Sequence, residues 1–154
     1  MTTFTVMYNA RFGGYGFSDE AIRLYNQRKA ELGQPTLKNS WEVVPRTDPV
    51  MIQIVRELHD RANSLFSRIW LEEIPSEYAN HFSITEYDGN ETIHIHYDQH
   101  ALKCIEDIMD DPSLQPTDAI VEIRRTLNEY RTRHRCTRPE NVQIRSTVCA
   151  SFYE

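Results

Sequence analysis

The chain has 154 residues, 26% of them charged and 40% hydrophobic, with a formal net charge of −6. That balance excludes an intrinsically disordered chain and predicts one soluble globular domain over residues 1–154. No apolar run approaches the ~20 residues of a membrane helix. The N-terminus also lacks the long apolar core of a secretory signal, so we expect neither a membrane partner nor secretion.

Charge is distributed unevenly along the chain. Residues 1–70 carry nine Lys/Arg and seven Asp/Glu, residues 71–118 carry one lysine against twelve carboxylates, and residues 119–154 carry seven Arg and four Glu. The acidic middle argues against generic duplex nucleic acid as a partner, because such binding depends on broad phosphate neutralisation. We expect the basic end to pair with the acidic middle, in the same chain or in a second copy as a homo-oligomer.

The first half of the chain predicts strands and helices in turn. Alternating residues predict a strand over Thr2–Tyr8, and Ser18 is a good N-cap for a helix that ends near Gly33. A short extended run follows at Trp41–Val44. Asp48 with Pro49 then predicts a second helix start, and its apolar positions share one face: Met51, Ile54, Val55, Leu58 and Ala62.

The second half contains the strongest hairpin signal. After a strand at Ile69–Ile74, two alternating runs flank Asp88-Gly89-Asn90 and predict a hairpin over residues 82–97. Helices are predicted at Gln99–Asp111 and Thr117–Arg135, and a last strand at Val142–Val148. Because strand and helix do not alternate after residue 69, we predict an α+β fold: a small mixed or antiparallel sheet with about four helices packed on it.

A glycine-rich loop joins the first strand to the first helix. Gly13, Gly14 and Gly16 lie where backbone N–H groups could hold an anion, and Arg11 could assist them. The third glycine of a dinucleotide fingerprint would fall on Asp19, and no P-loop lysine follows. A tight turn feeding a capped helix is therefore the main interpretation, and a phosphate cradle at Gly14 is the alternative.

Three histidines form the most metal-like segment. His94 and His96 share one strand face, and His100 lies just beyond them, which suggests a divalent-metal site. The run nearly matches the HxHxDH pattern of metallo-β-lactamase-type hydrolases, but its last histidine is displaced by one residue. The alternative is that these histidines form the polar face of a hairpin whose Ile93, Ile95 and Tyr97 face the core.

The predicted C-terminal helix carries a row of arginines. Arg124, Asn128, Arg131 and Arg135 follow one another at helical spacing, and guanidinium groups bind phosphates bidentately. Salt bridges with carboxylates are the competing interpretation. If a small anionic ligand binds anywhere, this face is the better candidate, with Arg46, Arg11 and Gly14 as contributors.

Three segments resemble a family of small uncharacterised proteins of tailed phages and large DNA viruses. They read FGGYGFSDEA, RTDPVMIQIVREL and, after Ile74-Pro75, ITEYDGNETI, and the resemblance covers roughly residues 4–97. Among their charged residues, Arg46, Glu86 and Glu91 are the least explained by local structure. We predict that Arg46 pairs with the hairpin carboxylates and joins the three segments around one cleft.

The resemblance implies a virus-encoded accessory protein in the cytoplasm of an infected host cell. No catalytic set can be named, so we expect a non-enzymatic binding protein for a small phosphorylated or nucleotide ligand, with an anti-defence role as one version. Two alternatives stay open. One is a metal-dependent hydrolase that uses His94, His96 and His100, and the other is a structural or interaction subunit of a virion.

Overall fold

The computed structural model describes residues 2–38 and 42–135 and confirms the α+β class, with four helices and two small antiparallel sheets. Sheet one pairs β1 with β2, and sheet two pairs β3 with β4. The elements run in the order β1 Thr3–Asn9, α1 Asp19–Glu31, α2 Pro49–Leu58, β2 Ile69–Pro75, β3 Phe82–Tyr87, β4 Asn90–Ile95, α3 Tyr97–Met109 and α4 Pro116–Arg135.

Strand β1 is buried on both faces. Met7 packs into a core formed with α1 and α2, whereas its neighbour Val6 packs into a second core with Ile74 and Tyr78. Successive side chains of a strand point to opposite faces, so one strand serves both cores. Around the second core lie Phe4, Phe82, Ile84, Ile93, Ile95 and Tyr97.

Helices α1 and α2 begin at the residues that their sequences predict. Ser18 accepts a hydrogen bond from the Ala21 N–H, and Asp48 accepts from the N–H groups of Val50 and Met51. These side chains satisfy amide groups that have no partner within the helix. Met51, Ile54, Val55 and Leu58 form a buried face of α2, as predicted. Ala62 is also buried, but α2 ends at Leu58, where His59 adopts positive φ, and Ala62 lies in the 3-10 turn His59–Ala62 that follows.

The hairpin is tighter than the sequence prediction. Its turn consists of Asp88 and Gly89 alone, with φ of 50° and 81°, because Asn90 already pairs with Tyr87 in the ladder. Positive φ at both turn residues is the geometry that Asp-Gly favours. Strand β4 ends at Ile95, and α3 begins at Tyr97, two residues before the predicted Gln99 start.

Contacts divide the chain into two compact units, Met1–His100 and Ala101–Glu154. No strand forms at 42–44, and the remaining residue of the predicted Trp41–Val44 run lies outside the described residues, as does the predicted strand at Val142–Val148. Over the described residues, no helix combines the length and apolar character needed to cross a membrane.

Candidate functional site

The glycine loop, the RTDP segment and the hairpin line one cleft in the first unit. Its volume is about 560 Å³. The glycine loop contributes Gly13, Gly14 and Tyr15, the RTDP segment contributes Arg46, and the hairpin contributes Ile84, Glu86, Asp88, Gly89 and Glu91. Residues separated by more than 70 positions in the chain therefore meet at one place.

Arg46 and Glu91 form a bidentate ion pair at the base of this cleft. Arg46 Nη1 lies 2.6 Å from Glu91 Oε2, and Nη2 lies 2.6 Å from Oε1. The Glu91 side chain is only 6% exposed, and that of Arg46 is 28% exposed. Two parallel charge-assisted bonds in a partly buried setting fix both orientation and partner. The predicted pairing of Arg46 with a hairpin carboxylate is confirmed.

Tyr15 covers the guanidinium of Arg46. The Arg46 Cζ atom lies 3.4 Å from the centroid of the Tyr15 ring, a cation–π contact. Burial raises the pKa of the Tyr15 hydroxyl, outweighing the nearby positive charge of Arg46, which lowers it. The hydroxyl donates to the Val44 carbonyl at 3.3 Å. Arg46 is thus held on one side by Glu91 and on its face by an aromatic ring.

Arg46 and Glu91 also accept hydrogen bonds from the edge of β1 that does not pair with β2. The Met7 N–H donates to the Arg46 carbonyl at 2.7 Å, and the Asn9 N–H donates to Glu91 Oε2 at 2.7 Å. Amide groups two residues apart point to the same strand edge. An unpaired edge would offer these donors to other chains, so the Arg46 carbonyl and the Glu91 carboxylate protect this edge of β1.

Asn9 connects the strands to the hairpin turn through its side chain. Its Nδ2 donates to the carbonyls of Arg11 and Gly89, each at 2.6 Å, and its Oδ1 accepts from the Arg68 N–H at 2.7 Å. The residue is fully buried and has no exposed surface. A buried amide with its partners in place stabilises, whereas one that lost them would leave polar atoms unsatisfied.

The glycine loop packs against the hairpin turn. The Gly13 N–H donates to the Asp88 carbonyl at 3.1 Å. A Cβ built on Gly89 would lie 2.6 Å from the Gly13 nitrogen and closer still to the Gly14 nitrogen, which leaves no room for a side chain. The glycines thus permit close approach to backbone, which favours the turn interpretation over a phosphate cradle at Gly14.

The charge of the cleft also disfavours an anion. Arg46 and Glu91 neutralise each other, and Glu86 and Asp88 add two carboxylates to the lining. Glu86 opposes Glu91 across the hairpin, and its Oε1 accepts a short hydrogen bond from the Gly89 N–H. Of the predicted ligand-binding residues, Arg46 and Gly14 line the cleft, but Arg46 is already committed to a carboxylate.

Arg11 lies in a different depression of the same unit, with a volume of about 620 Å³. Arg68 lines it too, and the Ala10 N–H donates to the Arg68 carbonyl at 2.8 Å, just after β1 ends and just before β2 begins. The remaining lining residues are Ala10, Asp60, Asn63, Ser64, Leu65 and Ser67. Sequence reasoning missed Arg68 because only the β1–β2 pairing brings it beside Arg11.

The three histidines do not form a metal-binding group. His94 Nε2 lies 2.8 Å from Thr85 Oγ1, and His96 Nε2 lies 2.9 Å from Ser83 Oγ. His100 instead packs edge-on against the rings of Tyr78 and His81. Within residues 2–38 and 42–135, no three His, Cys, Asp or Glu side chains are arranged to hold a metal ion.

The second unit presents arginines along α4. Arg124, Arg125 and Arg133 line a shallow depression of about 510 Å³ on this helix, together with Val121, Asn128, Glu129 and Thr132. Arg125 also pairs with Glu122 one turn away, at 2.7 Å. Arg131 is exposed but does not line the depression, and the side chain of Arg135 lies outside the described residues. Of the predicted row, Arg124 and Asn128 thus line the depression. Arg125 and Arg133, which the row did not include, line it too.

No protein family, curated protein or solved structure matches this chain.

Proposed function

We propose that this chain is a virus-encoded, non-enzymatic accessory protein that binds a small phosphorylated or nucleotide ligand in the cytoplasm of the infected host cell. In its most specific version the protein is an anti-defence factor that sequesters a nucleotide signal of host immunity. The resemblance of its three segments to a phage and large-virus family supports the setting. The proposal also includes association of copies into a homo-oligomer.

The depression on α4 is the observation that supports a phosphorylated ligand. Three arginines line it beside two polar residues: Arg124, Arg125 and Arg133, with Asn128 and Thr132. Guanidinium groups donate in a planar fork that fits phosphate oxygens, and the Asn128 amide adds a neutral donor. The Thr132 hydroxyl instead donates to the Asn128 carbonyl at 2.8 Å. Two carboxylates lie nearby: Glu129 lines the depression, and Glu122 pairs with Arg125 at 2.7 Å, which partly commits that guanidinium. The lining still carries three arginines against one carboxylate, whereas the cleft carries one arginine against three.

The cleft is the weaker candidate for the same ligand. Its one arginine is held by Glu91 and covered by Tyr15, and its other charged residues are acidic. A phosphate there would have to displace a bidentate ion pair and approach two carboxylates, which is electrostatically unfavourable. We therefore assign the anion to α4 and a structural role to the Arg46–Glu91 pair.

Isothermal titration calorimetry tests the proposal with mono-, di- and cyclic nucleotides and with inorganic phosphate. We expect saturable binding of at least one nucleotide. The double variant Arg124→Gln/Arg133→Gln should weaken it by about tenfold or more, because each lost charge-assisted bond is worth about 1.5–3 kcal/mol. Glutamine retains helix propensity.

Arg131→Gln is the control, because it removes one arginine charge from the same helix outside the depression, where each change of the double variant removes one from inside it. It should leave the affinity within about twofold, apart from the weak screened effect of net charge. Absence of binding by every nucleotide in the panel would contradict the proposed function. An equal loss for Arg131→Gln would show that general charge attraction, and not the depression, holds the ligand.

A further inference from the structure

Four large apolar side chains on or beside turns of the first unit are exposed to solvent. Phe12 is 59% exposed, Phe66 68%, Tyr87 80% and Leu65 85%. We call these four residues the loop-tip patch. Each belongs to a turn or lies directly beside one, and none is a member of either core.

The three turns that carry the patch meet at Gly13. This residue follows Phe12, donates its N–H to the Asp88 carbonyl at 3.1 Å, and has Phe66 Cβ 3.0 Å from its own Cβ position. Gly13 and Gly14 adopt φ of 131° and 123°, which side-chain-bearing residues rarely tolerate. Backbone contacts therefore hold the apolar tips side by side while their side chains stay in water.

Opposite charges flank the patch on two sides. On one side is the depression with Arg11 and Arg68, where Leu65 is also a lining residue. On the other side is the cleft with Glu86 and Asp88, where Gly13 is a lining residue. Phe12 stands in the chain between these two linings. Asp60 reduces but does not cancel the basic charge of the first side.

We propose that the loop-tip patch is a two-fold interface between two copies of this chain. A two-fold axis through the patch brings apolar tips against apolar tips, and it places the arginine side of each copy opposite the carboxylate side of the other. Such self-complementary charge specifies the orientation, while aromatic residues and arginine are the types enriched in interface cores. A surface with charge of one sign would repel its own copy.

This inference names the face for the homo-oligomer included in the proposed function, and it does not depend on ligand binding by α4. In particular, it gives Arg11 and Arg68 a role toward carboxylates of the second copy. It also accounts for apolar side chains that neither core uses.

Sedimentation equilibrium of the full chain over a range of concentrations tests the interface. We expect a monomer–dimer equilibrium for the unaltered protein. Leu65→Asp should raise the dissociation constant by about thirtyfold or more, because it removes an apolar contact and places a carboxylate opposite the carboxylate side of the second copy. Leu32→Asp is the matched control, because Leu32 is also exposed but lies at the end of α1. It should leave the dissociation constant within about twofold.

Two charge-reversed variants test the orientation. Arg11→Glu/Arg68→Glu places acidic groups opposite Asp88, and Asp88→Lys places a basic group opposite the arginines, so each variant alone should be monomeric. Mixed in equal amounts they should form a heterodimer, because both charged contacts are then complementary again. Circular dichroism of each variant verifies that the hairpin and helices still form.

A monomeric wild-type protein at every concentration would overturn the proposal. A dimer that Leu65→Asp leaves intact would place the interface elsewhere and would overturn it equally. Charge-reversed variants that each dimerise like the wild type, or that fold but fail to associate when mixed, would refute the two-fold arrangement. None of these results bears on nucleotide binding, which the α4 variants test separately.

Discussion

Arg46 and Glu91 form a bidentate ion pair with both N···O distances at 2.6 Å, although 45 residues separate them in the chain. Glu91 is almost fully buried, and one of its oxygens also accepts the Asn9 N–H. This pair joins the RTDP segment and the hairpin to the edge of β1.

Removing Arg46 should therefore destabilise the fold strongly. Arg46→Ala leaves a buried carboxylate without its cation, and we expect the free energy of unfolding to fall by about 3 kcal/mol. Glu91→Gln should cost less, because the amide can still accept from Asn9 and carries no charge. Urea unfolding measures both effects.

The double variant Arg46→Ala/Glu91→Gln checks the attribution. It should be less destabilised than the sum of the single changes, since the stranded charge is gone, with a coupling energy of about 1 kcal/mol or more. Strictly additive losses would mean that the two side chains contribute independently.

Gly89 should be irreplaceable for a steric reason. Its Cβ position collides with the backbone of Gly13 and Gly14, which cannot move away as a flexible side chain could. Gly89→Ala should lower the free energy of unfolding by more than about 2 kcal/mol, with contributions from both positive φ and overlap. Thermal and urea unfolding provide the measurement.

Gly33→Ala is the control for this prediction. Gly33 also has positive φ, at 64°, but nothing lies within 4 Å of its Cβ position. It should show only the conformational penalty of about 1 kcal/mol. If both substitutions had the same effect, contact between the loop and the turn would not matter.

Acid should weaken the protein through Asp48. Burial raises the pKa of this carboxyl, but hydrogen bonds from Lys29, Tyr25 and the α2 amides outweigh it, so the net pKa lies below the ordinary 3.8. A lowered native pKa means that the contribution to stability is present above the unfolded value and is lost as pH falls through the native value.

Asp48→Asn tests that acid dependence. Asparagine can still cap α2, but it cannot form the 2.7 Å ion pair with Lys29. We expect a loss of about 1.5–3 kcal/mol near neutral pH and a shallower decline of stability below pH about 4. An unchanged acid limb in urea titrations at several pH values would assign the acid sensitivity to other carboxylates.

Alkali should lower the free energy of unfolding through ionisation of the Tyr15 hydroxyl. Because burial raises the pKa of its hydroxyl above the ordinary 10.0, the unfolded chain releases the proton first, and stability is lost as pH rises above that ordinary value. Phenolate absorbance should show one fewer late-titrating tyrosine in Tyr15→Phe than in the wild type. Ionisation of Tyr15 together with the exposed tyrosines would contradict its burial against Arg46.

Helix starts and the hairpin turn could be predicted from the sequence, because they depend on residues that are neighbours in the chain. Ser18 and Asp48 mark the starts of α1 and α2 because a side-chain oxygen reaches amides two or three residues ahead. Asp88-Gly89 marks the hairpin because both residues accept positive φ. Charge complementarity also predicted that Arg46 would find a hairpin carboxylate.

Contacts between residues far apart in the chain could be read only from the tertiary structure. Glu86 and Glu91 are alike in sequence, yet Glu91 receives Arg46 and the Asn9 amide, while Glu86 accepts the Gly89 N–H of its own turn. Arg68 lies beside Arg11 only because antiparallel pairing places the start of β2 next to the end of β1. Likewise, the close contact between Gly89 and the glycine loop, which favours a turn over a phosphate cradle, arises from where the hairpin packs. Such contacts depend on how strands pair and stack over long separations, which local periodicity and capping do not encode.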